Sequence, residues 1–325
     1  MSRRDIIGIG ASAGGLPAII DILKNFSPEE PTSILLVMHR SDEASRLGDI
    51  LQRYTPYKVC EPADGDECLP QHLYVAPNDL HLLMGEKHLH LRRGPRENNF
   101  RPAIDPMFRS LAVFAGGRAT GVVLSGYMDD GAAGARAIIS GGGRLLVQDP
   151  IEAMSPSMPR AAISAVGEPE LIASAAQIGT RLSSLAAEPA RPDRQVDARV
   201  RMELLIAGLE NATMATEEKL GELVPFNCPD CNGVLWEISD GPIRRFRCHT
   251  GHAYSQMALD EKQEVMLERS LYDSLRSLRE KAALLRDIAT RDDINRARLI
   301  KRAEGYDQDA ATVEAMILSR SKSAA

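Results

Sequence analysis

The sequence predicts an α/β fold built on a parallel sheet, followed by a small zinc ribbon and a C-terminal helical hairpin. Three observations carry that prediction. Short, continuous apolar runs at Ile6–Ile9, Ile34–Met38 and Ala119–Leu124 read as strands buried on both faces, and helical patterns separate them. Cys228, Cys231 and Cys248 cluster in the last third with His249 and His252. Beyond Leu259, leucines recur at three- and four-residue spacing on an otherwise charged segment.

Asp5 to Ile9 forms the first strand and Leu16 to Leu23 the start of a helix, so Ser12 falls on the turn between them, flanked by Gly10, Gly14 and Gly15. In open α/β sheets such a turn, at the carboxyl end of a strand, is where ligands bind. The second strand, Ile34–Met38, delivers His39 and Arg40. Runs at Leu73–Ala76, His81–Met84 and His88–Leu91, broken by turn residues, suggest a hairpin excursion. Pro106 to Phe114 reads as a helix capped by Asp105, and Ala119–Leu124 as a third buried strand leading into Ser125-Gly126-Tyr127-Met128-Asp129-Asp130-Gly131. Ala132–Ser140 then reads as a helix, Arg144–Gln148 as a strand and Met158–Val166 as a last short helix.

Between Ala186 and Asp193 the periodicity stops and two prolines occur. The expected organisation is therefore a first domain over 1–187, a linker over 188–197, a helix and zinc ribbon over 198–257, and a helical hairpin over 258–325. Val196 to Leu209 is the helix candidate of the third part, Asp292 or Asp293 is placed to cap the return helix of the hairpin, and the tail from Ser319 is expected to fray.

At 325 residues and 44% apolar composition the chain has ample material for packed cores. Its net charge of −6, with charges of both signs mixed, argues against a nucleic-acid binder held by phosphate contacts. No signal-like N-terminus and no long apolar run is present, so direct membrane insertion is not expected and a cytoplasmic location is. In a reducing cytosol the clustered cysteines read as metal ligands rather than disulfides.

Ser12, His39 and Asp130 each come after a different buried strand, and a serine, a base and a carboxylate that orients the base are the groups of a nucleophilic triad. Spacing alone leaves an equally good alternative, in which polar residues merely terminate strands. Nucleotide binding fits less well: the glycines of Gly8-Ile9-Gly10 and Gly14 are spaced G-x-G-x-x-x-G, and the second strand ends without an acidic residue.

Five motifs occur in this order: Ile9-Gly10-Ala11-Ser12-Ala13-Gly14-Gly15, Met38-His39, Tyr74-Val75-Ala76-Pro77, Arg101-Pro102-Ala103-Ile104-Asp105-Pro106-Met107-Phe108, and Leu124-Ser125-Gly126 with Asp130-Gly131-Ala132-Ala133-Gly134. Together they make residues 5 to 180 resemble the catalytic domain of CheB, the chemotaxis receptor methylesterase. The resemblance implies a doubly wound sheet with helices on both faces and a serine hydrolase that needs no catalytic cofactor. The implied substrates are glutamate γ-methyl esters, and also glutamines, of a methyl-accepting chemotaxis receptor or a similar methylated signalling protein. It implies Ser12 as nucleophile, His39 as base and Asp130 as the group orienting His39, with Asp129 its uninvolved neighbour. Backbone groups near Ser12–Ala13 and Gly126–Tyr127 are the implied oxyanion donors, and Arg101 is a substrate-positioning candidate, with packing at the helix start as its alternative.

The sequence departs from that pattern in two ways. Ala13 stands where many members have threonine, and Tyr127-Met128 where many have Met-Gly, changes that bear on rate or substrate. The sequence also opens at the first catalytic strand, whereas typical members carry a phosphoacceptor receiver domain ahead of it, so control by phosphorylation of an attached receiver is not expected.

Cys228-Pro229-Asp230-Cys231 followed sixteen residues later by Cys248-His249-Thr250-Gly251-His252 supplies C-x₂-C and C-x₃-H, a ligand set for tetrahedral zinc in a closed structural site. Val234–Ile238 and Ile243–Arg247 around Asp240-Gly241 read as the hairpin between the two turns. The expected ligands are Cys228, Cys231, Cys248 and His252, with His249 the weaker alternative. His72, His81, His88 and His90 read as surface or groove residues, and the leucine stripe from Leu267 to Leu285 as a packing face. The combined expectation is a methylesterase regulated through its C-terminal part, against a catalytically weak adaptor that binds partners through that part.

Overall fold

A computed structural model describes residues 3–40, 46–209 and 221–323. Its centre is β1 (Ile6–Ala11), flanked by β2 (Ser33–Met38) and β7 (Ala119–Val123), all parallel. The full order is β3-β4-β2-β1-β7-β8-β9, where β3 is Lys58–Cys60, β4 His72–Val75, β8 Arg144–Gln148 and β9 Leu171–Ala173. Every neighbouring pair is parallel.

Side chains alternate across β1, and that alternation builds two cores. Ile7, Ile9 and Ala11 join α1 (Gly15–Asn25) and α6 (Ala175–Ala187) in one layer. Gly8 and Gly10 face the other layer, that of α3 (Ile104–Phe114), where a Cβ on Gly8 would strike Leu111 and Phe108 and one on Gly10 would strike Ile104. The missing side chains let α3 lie directly on the central strand. The α4 (Ala132–Ser140) and α5 (Ser157–Val166) helices pack in the same layer. The sheet is thus covered by helices on both faces, the doubly wound arrangement expected.

Several elements differ from expectation. The short helix α2 (Leu47–Leu51) and strands β3 and β9 carry too few residues for a periodic signal, and α6, which follows the helix expected to be last, was not foreseen although Ser174-x-x-Gln177 forms a capping box at its start. Only β5 (His81–Met84) and β6 (Leu89–Arg92) form the hairpin excursion, because the buried Leu73, Tyr74 and Val75 take β4 into the main sheet. Helix α3 begins at Ile104, so Asp105 is not its cap. Its carboxylate instead accepts the N–H of Gly134 on α4 at 2.7 Å.

After α7 (Ala198–Ala207), the ribbon is a four-stranded antiparallel sheet: β10 (Glu222–Asn227), β11 (Val234–Asp240), β12 (Ile243–Cys248) and β13 (Ala253–Ser255). Residues Met1–Leu259 form one compact unit. A buried ion network explains why ribbon and parallel sheet belong together: Glu97 pairs with Arg109 of α3 and Arg247 of β12, while Glu203 of α7 holds Arg245 with both oxygens at 2.7 Å and Arg247 at 2.8 Å. Burial pushes the Glu203 carboxyl up, but Arg245 and Arg109 hold it well below the usual range.

The second unit, Asp260–Ala325, is a helical hairpin. Helices α8 (Gln256–Ala289) and α9 (Arg296–Ser323) share a seam of Ala282, Leu285 and Ala289 with Leu299 and Ala303, continued by Leu275 with Ala310 and Ile317. Asp292 accepts the Asn295 N–H at the turn. Helix α9 runs to Ser323, beyond the expected start of a frayed tail. Ala324 and Ala325 lie outside the described residues. No helix among the described residues is long and apolar enough to cross a membrane.

Candidate active site

The carboxyl ends of β1, β2 and β7 meet at one edge of the sheet. Ala11 and Met38 are register partners, so the residues after them, Ser12 and His39, leave adjacent strands side by side, and the His39 N–H donates to the Ala11 carbonyl at 3.0 Å. The turn at Ser12 is tied down from β7: its N–H donates to the Ser125 carbonyl at 2.9 Å, and the Ser125 hydroxyl donates to the Ala13 carbonyl at 2.7 Å. Gly14 has a left-handed φ of 73°, which opens α1 one residue later. A Cβ on Gly126 would overlap Met158 and crowd the Ser12 side chain, so a glycine is needed there.

Asp130 precedes Gly131, the N-cap of α4, and is 1% exposed. One of its oxygens accepts from His39 Nε2 at 2.9 Å and from the Ile104 N–H at 2.7 Å. The other accepts from Asn98 Nδ2 at 3.0 Å, Asp105 N–H at 3.2 Å and Gly131 N–H at 3.0 Å. The carboxylate therefore sits on the first turn of α3. Burial pushes it up, yet the His39 hydrogen bond and charge, with these N–H groups, bring it below the usual range. Being charged, it accepts from His39, which places an imidazole proton on Nε2; in the neutral ring the lone pair is then on Nδ1. Nδ1 is buried and has no hydrogen-bond partner among the described residues.

Two neighbours escaped sequence reasoning. Phe100 stacks on the His39 ring with centroids 3.6 Å apart and planes 9° apart. Asn98 bridges Asp130 and Asp105, whose carboxyl is pushed up to about 7 by burial and by the Asp130 charge. Neither carries a local pattern, since only folding brings 98–100 under β2 and β7. The Tyr127 side chain is 65% exposed and points its bulk to solvent beside the site. The Gly126 N–H is spent on the Ser155 carbonyl, which removes it from the oxyanion candidates and leaves Ala13 and Tyr127. Arg101 Nε and Nη2 hold Asp79, and its Nη1 holds the Gly94 carbonyl.

Cys228, Cys231, Cys248 and His252 bring their ligand atoms within 4.8 Å of one another, forming a cluster able to hold a metal ion. The Cys231–Cys248 sulfurs lie 3.5 Å apart, and His252 Nδ1 lies 3.7 Å from Cys228 and 3.5 Å from Cys248. Ligands at about 2.0–2.3 Å around a tetrahedral ion have edges of roughly 3.5–3.8 Å. The pairing with Cys228 pushes the Cys248 thiol down and the Cys228 thiol up. His249 lies instead against Gly233, where a Cβ would overlap its imidazole.

Residues 7–182 match the sequence profile described as CheB methylesterase. The chain belongs to the CheB methylesterase family. Similar curated proteins include a protein-glutamate methylesterase/protein-glutamine glutaminase 1 of Myxococcus xanthus, 34% identical over 186 residues, covering 56% of this chain and 54% of that protein. The enzyme of the same name, without the numeral, from Escherichia coli is 34% identical over 177 residues, covering 53% and 50%. The chain thus spans about half the length of the curated relatives it matches. The catalytic domain of Thermotoga maritima CheB methylesterase matches with a TM-score of 0.54 and 28% identity, over 57% of this chain and 100% of that one. The family match ends before the ribbon and the hairpin.

Proposed function

We propose that this protein is a cytoplasmic protein-glutamate methylesterase, with Ser12 as nucleophile, His39 as base and Asp130 as the group that orients His39. The observation that carries the reading is the His39–Asp130 hydrogen bond, which leaves an unpartnered buried Nδ1 on a histidine one strand away from Ser12.

Ser12 Oγ attacks the γ-methyl ester carbonyl while His39 Nδ1 takes its proton. The carbonyl oxygen becomes an oxyanion, with the N–H groups of Ala13 and Tyr127 the proposed donors. Collapse breaks the bond to the methoxy group, which leaves as methanol with the proton from His39, and an acyl-enzyme remains. A water gives its proton to His39 as it attacks. Ser12 then departs with that proton, freeing the glutamate. A glutamine side chain would pass through the same acyl-enzyme with ammonia leaving, so receptor deamidation belongs to the same proposal. The substrate is a methylated chemoreceptor or similar signalling protein, by similarity to the curated relatives.

The Cys/His cluster is proposed as a structural zinc site: three thiols and an imidazole suit that ion, and all four positions belong to the protein. The Tyr254 hydroxyl, between Cys228 at 3.1 Å and Asp230 at 2.7 Å, supports the ligand shell from outside. Elemental analysis should find about one zinc per chain, and well under one would refute this.

The test of activity is methanol release from a methylated receptor cytoplasmic fragment, comparing the protein with Ser12→Ala. Ser12-dependent release supports the esterase. No release, with Ser12 also inert to a fluorophosphonate, favours the adaptor.

A further inference from the structure

The ribbon reaches the candidate triad. Strand β13 lies alongside residues 96–98: the Asn98 N–H donates to the Ala253 carbonyl at 2.8 Å, and the Ala253 N–H to the Arg96 carbonyl at 3.1 Å. Two residues on, the Ser255 N–H donates to Asn98 Oδ1 at 2.9 Å. The opposite end of that amide, Nδ2, donates to Asp130 at 3.0 Å and to Asp105 at 2.9 Å. The Ser255 hydroxyl donates to Asp129 at 2.5 Å, and Met128 packs against the ribbon core of Cys228, Leu235 and Phe246. Beneath, Arg247 of β12 holds Glu97, the residue before Asn98.

We propose that Asn98 is a positioning residue for the hydrolase and that ribbon strand β13 sets it, the Ser255 N–H fixing the Asn98 amide so that its NH₂ orients Asp130 toward His39. The proposal rests on the triad reading above. An asparagine amide has two orientations, and in the wrong one its carbonyl oxygen faces the carboxyls of Asp130 and Asp105. A donor placed opposite decides between them, and here the donor belongs to the ribbon, three residues after His252. Asn98 is 3% exposed and has a φ of 50°, so neither water nor a ready change of backbone substitutes for that contact. The C-terminal part therefore acts on the hydrolase by completing its geometry and not merely by delivering it to a partner.

The test uses the full chain and the variants Asn98→Ala, Ser255→Pro and Ser255→Ala. Both Ser255 variants lack the hydroxyl, but only the proline lacks the N–H. The first readout is the downfield proton resonance of the His39–Asp130 hydrogen bond, assigned by its loss in Asp130→Asn. The second is the rate of Ser12 labelling by a fluorophosphonate. Asn98→Ala and Ser255→Pro are each expected to shift or broaden the resonance and slow labelling by about 10- to 100-fold, the effect of one hydrogen bond to a charged group. Their combination should be no slower than Asn98→Ala alone, because they cut one chain, and Ser255→Pro should label more slowly than Ser255→Ala, which keeps the N–H. If Ser255→Pro does not fold, hydrogen exchange at the Ser255 amide replaces it, and faster exchange in Asn98→Ala is expected. An unchanged resonance in Asn98→Ala overturns the proposal, as do multiplying effects or an unchanged Ser255 exchange rate. A wild-type Ser12 that resists labelling sinks the triad reading instead, and the resonance still decides whether Asn98 positions Asp130.

Discussion

Replacing Asp130 with asparagine removes a charge while keeping the shape, and the donors around the site decide where the new amide can sit. If its NH₂ stands where Asp130 accepts from Asn98, Asp105 and Gly131, it opposes three donors. If it stands on the other side, it opposes the Ile104 N–H and His39 Nε2. The second orientation conflicts with fewer groups, and His39 relieves its part by moving its proton to Nδ1, so the atom that must take the Ser12 proton is already protonated. Amidating the buried aspartate of a serine-protease triad costs about 10⁴ in turnover through this wrong tautomer. An intact oxyanion site keeps the residual rate. We expect a loss of about 10³ to 10⁴, or roughly 4–5.5 kcal/mol in the barrier. The opposed Ile104 N–H adds a stability cost of about 1–3 kcal/mol. The stability effect also has a sign with pH. Because the folded carboxyl lies below its unfolded value, Asp130 stabilises above about pH 4, and that contribution disappears as pH falls through the folded value. The two proteins should thus differ most at neutral pH and converge on acidification. Methanol release and fluorophosphonate labelling measure the rate, and urea denaturation the stability. A variant within tenfold of the parent would refute the assignment of Asp130.

Three further expectations concern the scaffold. Glu203→Ala removes one carboxylate from a buried cluster of arginines, leaving Arg245 with Asp240 and Arg247 with Glu97 alone among carboxylates, and should lower the denaturation free energy by about 3–5 kcal/mol without touching the His39–Asp130 pair. Asp105→Asn acts in the opposite pH sense to Asp130→Asn. Its folded carboxyl, at about 7, keeps a proton that the unfolded chain loses near pH 4, so the parent loses stability between those values and the variant, measured by thermal melts at pH 5 and 8, should gain most at pH 8. Gly8→Ala should cost about 1–3 kcal/mol by overlapping Leu111, and Leu111→Ala in the same chain should recover part of that, which a denaturation double-mutant cycle reads directly.

The sequence by itself determined the parallel sheet and the strands that end at Ser12 and His39, because buried parallel strands are continuous apolar runs whose ends are marked by the first polar residue or glycine. It also determined the Cys/His cluster, since one C-x₂-C turn and one C-x₃-H turn bring ligands together over short stretches of chain. Helix α6 was missed, although Ser174-x-x-Gln177 is a capping-box pattern at its start. Tertiary structure decided what depends on residues distant in sequence. It paired Arg101 with Asp79, placed Phe100 on His39, and put the amide of Asn98 between Asp130 and Ser255, 157 residues away along the chain. Those contacts have no sequence period, because a side-chain amide or guanidinium takes whichever partner the packed layers place within hydrogen-bond reach.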